Sequence, residues 1–225
     1  MSFQRAGFGS LATVFVFGGL ASASQSRANG EFTHYTKSGV HSALISFAIG
    51  LIILSLIVIA SRDIRAGIAR IPESVRQGAL PVWAVPAGVL GGVFIACASY
   101  SVALIGVSLF AVGTVMAQTT TALVVDRVGI GPMGRTRLTR NRVLAAALAI
   151  IAVVVAAGPR LTDANFAVLA VVASIVGGIA TTVQQGLNGR ITVASRQPIA
   201  TTWLNFLFGT ACLLYTSPSP RDQRG

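Results

Sequence analysis

The sequence predicts an all-α, polytopic helical membrane protein arranged as an inverted five-helix repeat whose second copy is truncated, with about seven transmembrane helices of an expected ten. Three observations carry that expectation. The chain of 225 residues is 53% hydrophobic and only 10% charged, with a mean hydropathy of +0.75, whereas soluble domains carry about 25% charged residues. Its apolar residues fall into runs of span length separated by basic joints. The first two of these runs recur later in the chain.

In order, the apolar runs cover residues 8–29, 39–60, 80–102, 104–125, 143–158, 165–188 and 199–214. At roughly 20 residues per pass they use up the chain and leave no room for a sizeable soluble domain. The first run admits two readings. Its stretch GGLASASQSRANG (18–30) places the small triplet Ala21-Ser22-Ala23 behind an apolar segment headed by Arg5, the pattern of a secretory leader with its cleavage site. The same stretch sets Gln25 and Asn29 four residues apart, on one face of a membrane helix. Between runs two and three, Arg62, Arg65, Arg70, Pro72 and Arg76 read as a solvated loop, as does DRVGIGPMGRTRLTRNR (126–142) between runs four and five.

The basic residues are distributed unevenly. Arg5, four arginines between 62 and 76, five between 127 and 142, and Arg190 with Arg196 fall on one side of the membrane, twelve against Arg27, Lys37 and Arg160 on the other. That excess predicts a cytoplasmic N-terminus and opposes a cleaved leader, which would turn the same loops outward. It also accounts for the net charge of +11 without nucleic acid as a partner.

Sliding the chain by 159 positions lays residues 18–50 on GGIATTVQQGLNGRITVASRQPIATTWLNFLFG (177–209) without a gap, with nine of 33 positions identical. Chance gives roughly two or three at ordinary residue frequencies. Gln25 falls on Gln184, Asn29 on Asn188, Phe47 on Phe206 and Gly50 on Gly209. Polar amides recurring in register mark a duplication rather than shared hydrophobicity. Five runs precede the second copy, so it enters the membrane from the opposite side. A leader has no reason to reappear in mid-chain.

A primary amide in hydrocarbon costs several kcal/mol unless it finds partners, so these amides are expected to face the bundle interior. Two roles fit. They join helices by hydrogen bonds, aided by close approach at Gly18, Gly19, Gly177 and Gly178, or they form an uncharged recognition site near mid-membrane. Gln25, Asn29, Gln184 and Asn188 are the candidate substrate-binding residues, with Gln118 as a further contributor from the fourth run. Ser99, Tyr100, Ser101 and Thr119 to Thr121 are lesser candidates, because short hydroxyls bond back to their own helix. Glu31, His34 and His41 fall near the first hairpin and are lesser candidates, for a proton relay. Cys97 and Cys212 form neither a disulfide framework nor a metal pattern. Paired carboxylates and phosphate loops are missing, so the expectation is no enzyme, no metal and no cofactor.

Q-x-x-x-N-G in runs one and six and the S/N-F-x-x-G of runs two and seven give the chain a family likeness. So do Pro81 to Gly92 with Trp83, and GTVMAQTTTALVVDRVGIGP (113–132) with Gln118, Asp126 and Gly129. In these motifs the chain resembles the drug/metabolite transporter superfamily, EamA-like, and within it the YdcZ-like branch, over residues 8 to 211. The resemblance implies an inner-membrane secondary transporter of small metabolites, with export the favoured direction, working by alternating access between inverted repeats. Its partners would be the lipid bilayer and a small molecule of unassigned identity, with pairing into a dimer in single-repeat members. The alternative is a non-transporting membrane scaffold whose amides only hold helices together. Residues 1–158 read as the first five-helix repeat and 159–211 as the start of the second. Residues 212–225 read as a non-native tail, because CLLYTSPSPRD is what a transposase-type sequencing adapter gives on translation.

Overall fold

Apolar runs too long for a core helix and too short of charge for a surface one become a stack of long helices in the computed structural model, which describes residues 8–36, 38–157 and 165–216. Arg5, Lys37 and Arg160 of the charge asymmetry, and residues 217–225 of the tail, lie outside the described residues. Helix α1 spans Phe8–Thr36. Ser38 caps the next helix by accepting from the His41 N–H at 3.4 Å, and α2 runs through Gly39–Ala60. Ser61 ends α2 and caps α3, Arg62–Arg76, in the same way.

α3 corrects the expectation of a solvated loop. It is an amphipathic helix that buries Ile64, Gly67 and Ile71 while Arg62, Arg65, Arg70 and Arg76 stay exposed. Its apolar stripe, Ile64, Ile68, Ile71 and Val75, keeps a helical period that four arginines and a proline obscure in a hydropathy reading. α3 lies across the turn between α6 and α7. A Cβ on Gly67 would come within 2.7 Å of the Gln197 side chain, and Arg70 donates to the Ser195 carbonyl at 3.3 Å.

A 3₁₀ turn, Val82–Ala87, leads into α4, Gly88–Val128. α4 is a single helix in name only. Gly106 has φ 77 and ψ 166, a backbone state that suits glycine, and there the helix reverses. The rings of Phe94 and Phe110 lie 6.1 Å apart, although a straight helix would put residues so spaced about 24 Å apart. Residues 88–105 and 107–128 are therefore two antiparallel passes, as the third and fourth apolar runs require. Gly129, left-handed at φ 82, ends the second pass. Asp126 and Arg142 pair across the following loop to the start of α5, Arg140–Ala157. α6 covers Asn165–Ser195 and α7 Pro198–Thr216, with Arg196 at φ 55 in the turn between them.

Four helical segments are long and apolar enough to cross a membrane, Gly39–Ala60, Val82–Val128, Val168–Ser195 and Pro198–Thr216. The second of these crosses twice because of Gly106. The fold is thus an all-helical, polytopic membrane bundle. At its centre α6 packs against both passes of α4. It runs antiparallel to the first, with Ser101 donating to the Ala170 carbonyl at 2.9 Å and Gln184 lying on Gly91. It runs parallel to the second, with Thr114 beside Ser174 and Gly186 beside Val125. α7 extends to Thr216 with Leu213 buried, so helix continues into the first residues of the 212–225 segment.

Candidate functional site

The crossing of α2 with α7 sets the symmetry of the site. Phe47 packs where Gly209 leaves space, and Phe206 packs where Gly50 does; the two rings meet at 5.0 Å. Phe206 and Gly209 are the repeat equivalents of Phe47 and Gly50. Each aromatic ring therefore fills the notch of the other copy, as only two antiparallel, two-fold-related helices can arrange. Trp203 on α7 donates to Ser55 on α2 at 3.0 Å, consistent with the same antiparallel register.

The two asparagines occupy equivalent places on either side of that crossing. Asn29 is buried at 7% exposure, and its Oδ1 accepts from Ser46 Oγ on α2 at 2.6 Å. Its backbone carbonyl accepts from Ser42 at 2.9 Å and from Thr33 at 2.8 Å. Asn188 Oδ1 accepts from Asn205 Nδ2 on α7 at 2.9 Å. Asn205 is the repeat equivalent of Ser46, so each asparagine is tied to the same position of its neighbouring helix. The third pair of equivalents differs in detail: Thr192 and Thr201 share a hydroxyl bond at 2.9 Å, whereas Thr33 and Ser42 both turn to the Asn29 carbonyl.

The glutamines are placed differently. Gln184 is half-buried and fills the space left by Gly91, where an added Cβ would come within 2.6 Å of Nε2. Gln118, also half-buried, lines a cleft of about 390 Å³ between α1 and the α4 hairpin, together with Ser22, Phe94, Phe110 and Thr114. Neither glutamine hydrogen-bonds to another described residue. Gln25 is exposed, which corrects the expectation that both amides of each pair are enclosed. α1 meets its neighbours closely around Asn29 and Gly30, where a Cβ on Gly30 would come within 2.6 Å of Val102; about two turns earlier, at Ser22 and Ala23, it stands beside the cleft. The structure thus brings together Asn29 with α2, Asn188 with α7, and Gln184 with α4, but does not gather the five amides into one cluster.

Ser42, Ser46, Thr201 and Asn205 are the partners that the sequence reading missed. The signal was present in the repeat itself, since both copies carry polar side chains 13 and 17 residues after the asparagine. Arg27, Glu31 and His34 line a smaller cleft of about 290 Å³ against the Gly106 reversal, at the end of the bundle away from α3. Among the described residues no group of three His, Cys, Asp or Glu side chains is placed to hold a metal ion. The chemistry on offer is hydrogen bonding by neutral amides and hydroxyls within an apolar, aromatic surround, which suits recognition and passage of a solute.

The chain matches the family described as "Putative inner membrane exporter, YdcZ" over residues 10–155 and 169–219. The matched range takes in every pass, and its end falls within the 212–225 segment. No curated protein and no solved structure matches the chain. A match over most of the chain, laid on an all-helical membrane bundle, makes this protein a member of the YdcZ inner-membrane exporter family of the drug/metabolite transporter superfamily.

Proposed function

We propose that the chain moves a small, largely apolar solute outward across the inner membrane by alternating access, its two inverted copies rocking about the α2–α7 crossing. The reciprocal seating of Phe47 on Gly209 and Phe206 on Gly50 supports this reading. A two-fold contact between antiparallel helices has an equivalent arrangement facing either side of the membrane. The solute path follows the cleft at Gln118; Gln118, Gln184 and Gln25 offer amides that hydrogen-bond to no other described residue. Asn29 and Asn188 hold each helical hairpin in shape. The N-terminus and α3 face the cytoplasm, following the arginine excess.

The test is access to Gln118. With Cys97 and Cys212 replaced by serine, a Gln118→Cys variant should react with a membrane-impermeant maleimide both in intact cells and in inside-out vesicles. Reaction from one side alone, under every solute condition tried, would sink alternating access at this cleft. The scaffold reading is favoured by one observation, the bonding of both asparagines to adjacent helices. It predicts that no metabolite from a panel shifts the melting temperature of the detergent-solubilised protein, whereas a transporter shows a shift that Gln118→Ala removes.

A further inference from the structure

The arginine-rich end of the bundle holds a further cavity, separate from the amides. An apolar groove of about 660 Å³ runs between α3, the 82–87 turn and α7, walled by Ile68, Val75, Val85, Leu207 and Phe208. Arg76 is the one charged residue on its lining. Arg76 is exposed and makes no hydrogen bond or ion pair with the described residues. The nearest acid in sequence, Glu73, is engaged by the Gln77 amide at 2.5 Å. Other arginines of α3 are already committed, Arg65 to carbonyls at the end of α2 and Arg70 to Ser195.

The depth of the groove follows from its walls. α3 starts directly after the apolar α2 and turns four arginines outward, which fixes it at the headgroup level. Trp83, 57% exposed beside the groove, is the residue type that sits at that boundary. The groove is therefore apolar along a depth where acyl chains lie and cationic at the depth where phosphates lie. Its volume lies within the roughly 300–1,000 Å³ of small-ligand sites.

We propose that this groove binds a bilayer phospholipid with an anionic headgroup, one acyl chain lying between α3 and α7 and the phosphate on Arg76. The site is independent of transport. The purified full chain should be titrated with phosphatidylglycerol, phosphatidylcholine and inorganic phosphate in detergent, with bound lipid read by native mass spectrometry. Phosphatidylglycerol should bind about fivefold tighter than phosphatidylcholine, the preference that roughly one surface arginine confers. Arg76→Ala should remove that preference, while Arg62→Ala, which deletes the same charge from the far end of α3, should keep it. Val85→Trp, which fills the groove, should weaken both lipids about tenfold. Leu207→Trp repeats that test from the opposite wall should the first variant not fold. Equal binding of the two lipids, an equal loss in Arg62→Ala, or competition by inorganic phosphate alone would overturn the proposal. So would undiminished lipid binding in the tryptophan variants.

Discussion

The pairs α1–α2 and α6–α7 carry the same motif in opposite directions across the membrane, yet they are embedded differently. Within each pair the copies agree: an asparagine bonds across to the neighbouring helix, at Ser46 in one and Asn205 in the other. At the α2–α7 crossing they also agree, ring for notch. Toward α4 they part. Gly178 sits so close to α4 that a Cβ would come within 2.6 Å of the Thr114 carbonyl, and one on Gly177 would meet Phe94 and Cys97 at 3.3 Å. Gly18 and Gly19 face nothing within 4 Å. A repeated glycine pair is thus an opportunity for close approach, and whether it is used depends on what stands opposite.

That asymmetry is open to a direct challenge. Gly178→Leu should be the most damaging change, costing about 3 kcal/mol or more, because the obstruction is backbone and cannot give way. Gly19→Leu should stay within about 0.5 kcal/mol of the parent. Equal destabilisation of the two in thermal unfolding in detergent would show that α1 is as tightly packed as α6.

The agreement at the crossing is tested next. Phe47→Ala and Phe206→Ala should each cost about 2 kcal/mol, below the usual range for a water-soluble core because lipid offers the exposed notch an apolar alternative. Since the two rings touch, the double variant should cost clearly less than the sum. Additive losses in unfolding titrations would mean that the rings do not form one contact.

Smaller effects discriminate the hydrogen bonds. Asn29→Ala and Asn188→Ala should each lower stability by about 1 kcal/mol, the scale of a membrane interhelical hydrogen bond. Asn29→Ala should be the worse of the two, because Asn29 is the more buried. Asn205→Ser, which gives the second copy the first copy's partner, should be near neutral, within about 0.5 kcal/mol. Asn205 Oδ1 is buried with no partner, and the change removes that unsatisfied atom along with part of the bond. A loss as large as that of Asn188→Ala would show that the asparagine amide is specifically required.

The third and fourth passes were legible as separate apolar runs, 80–102 and 104–125, although only the structure places the reversal between them at Gly106. The duplication was legible too, and with it the asparagines. α3 was not, since a hydropathy reading averages its buried isoleucines with four exposed arginines. The exposure of Gln25 was not, because its four-residue spacing from Asn29 fixes a common helix face without fixing how far along that face the neighbours reach.

By itself the sequence determined the class of protein, the order of its long apolar helices and the positions of the amides along them. Lipid imposes those features on each helix separately, through the length of apolar chain that satisfies its own backbone. Only the tertiary structure decided which side of each helix meets another. In water the apolar face marks the contact, but a lipid tail is as apolar as leucine, so α2, α4 and α6 carry no stripe that separates packed from lipid-facing sides. The seating of Phe47 on Gly209, the use of Gly178 but not Gly19, and the groove at Arg76 come from shape and polar pairing between helices, which no single run of residues records.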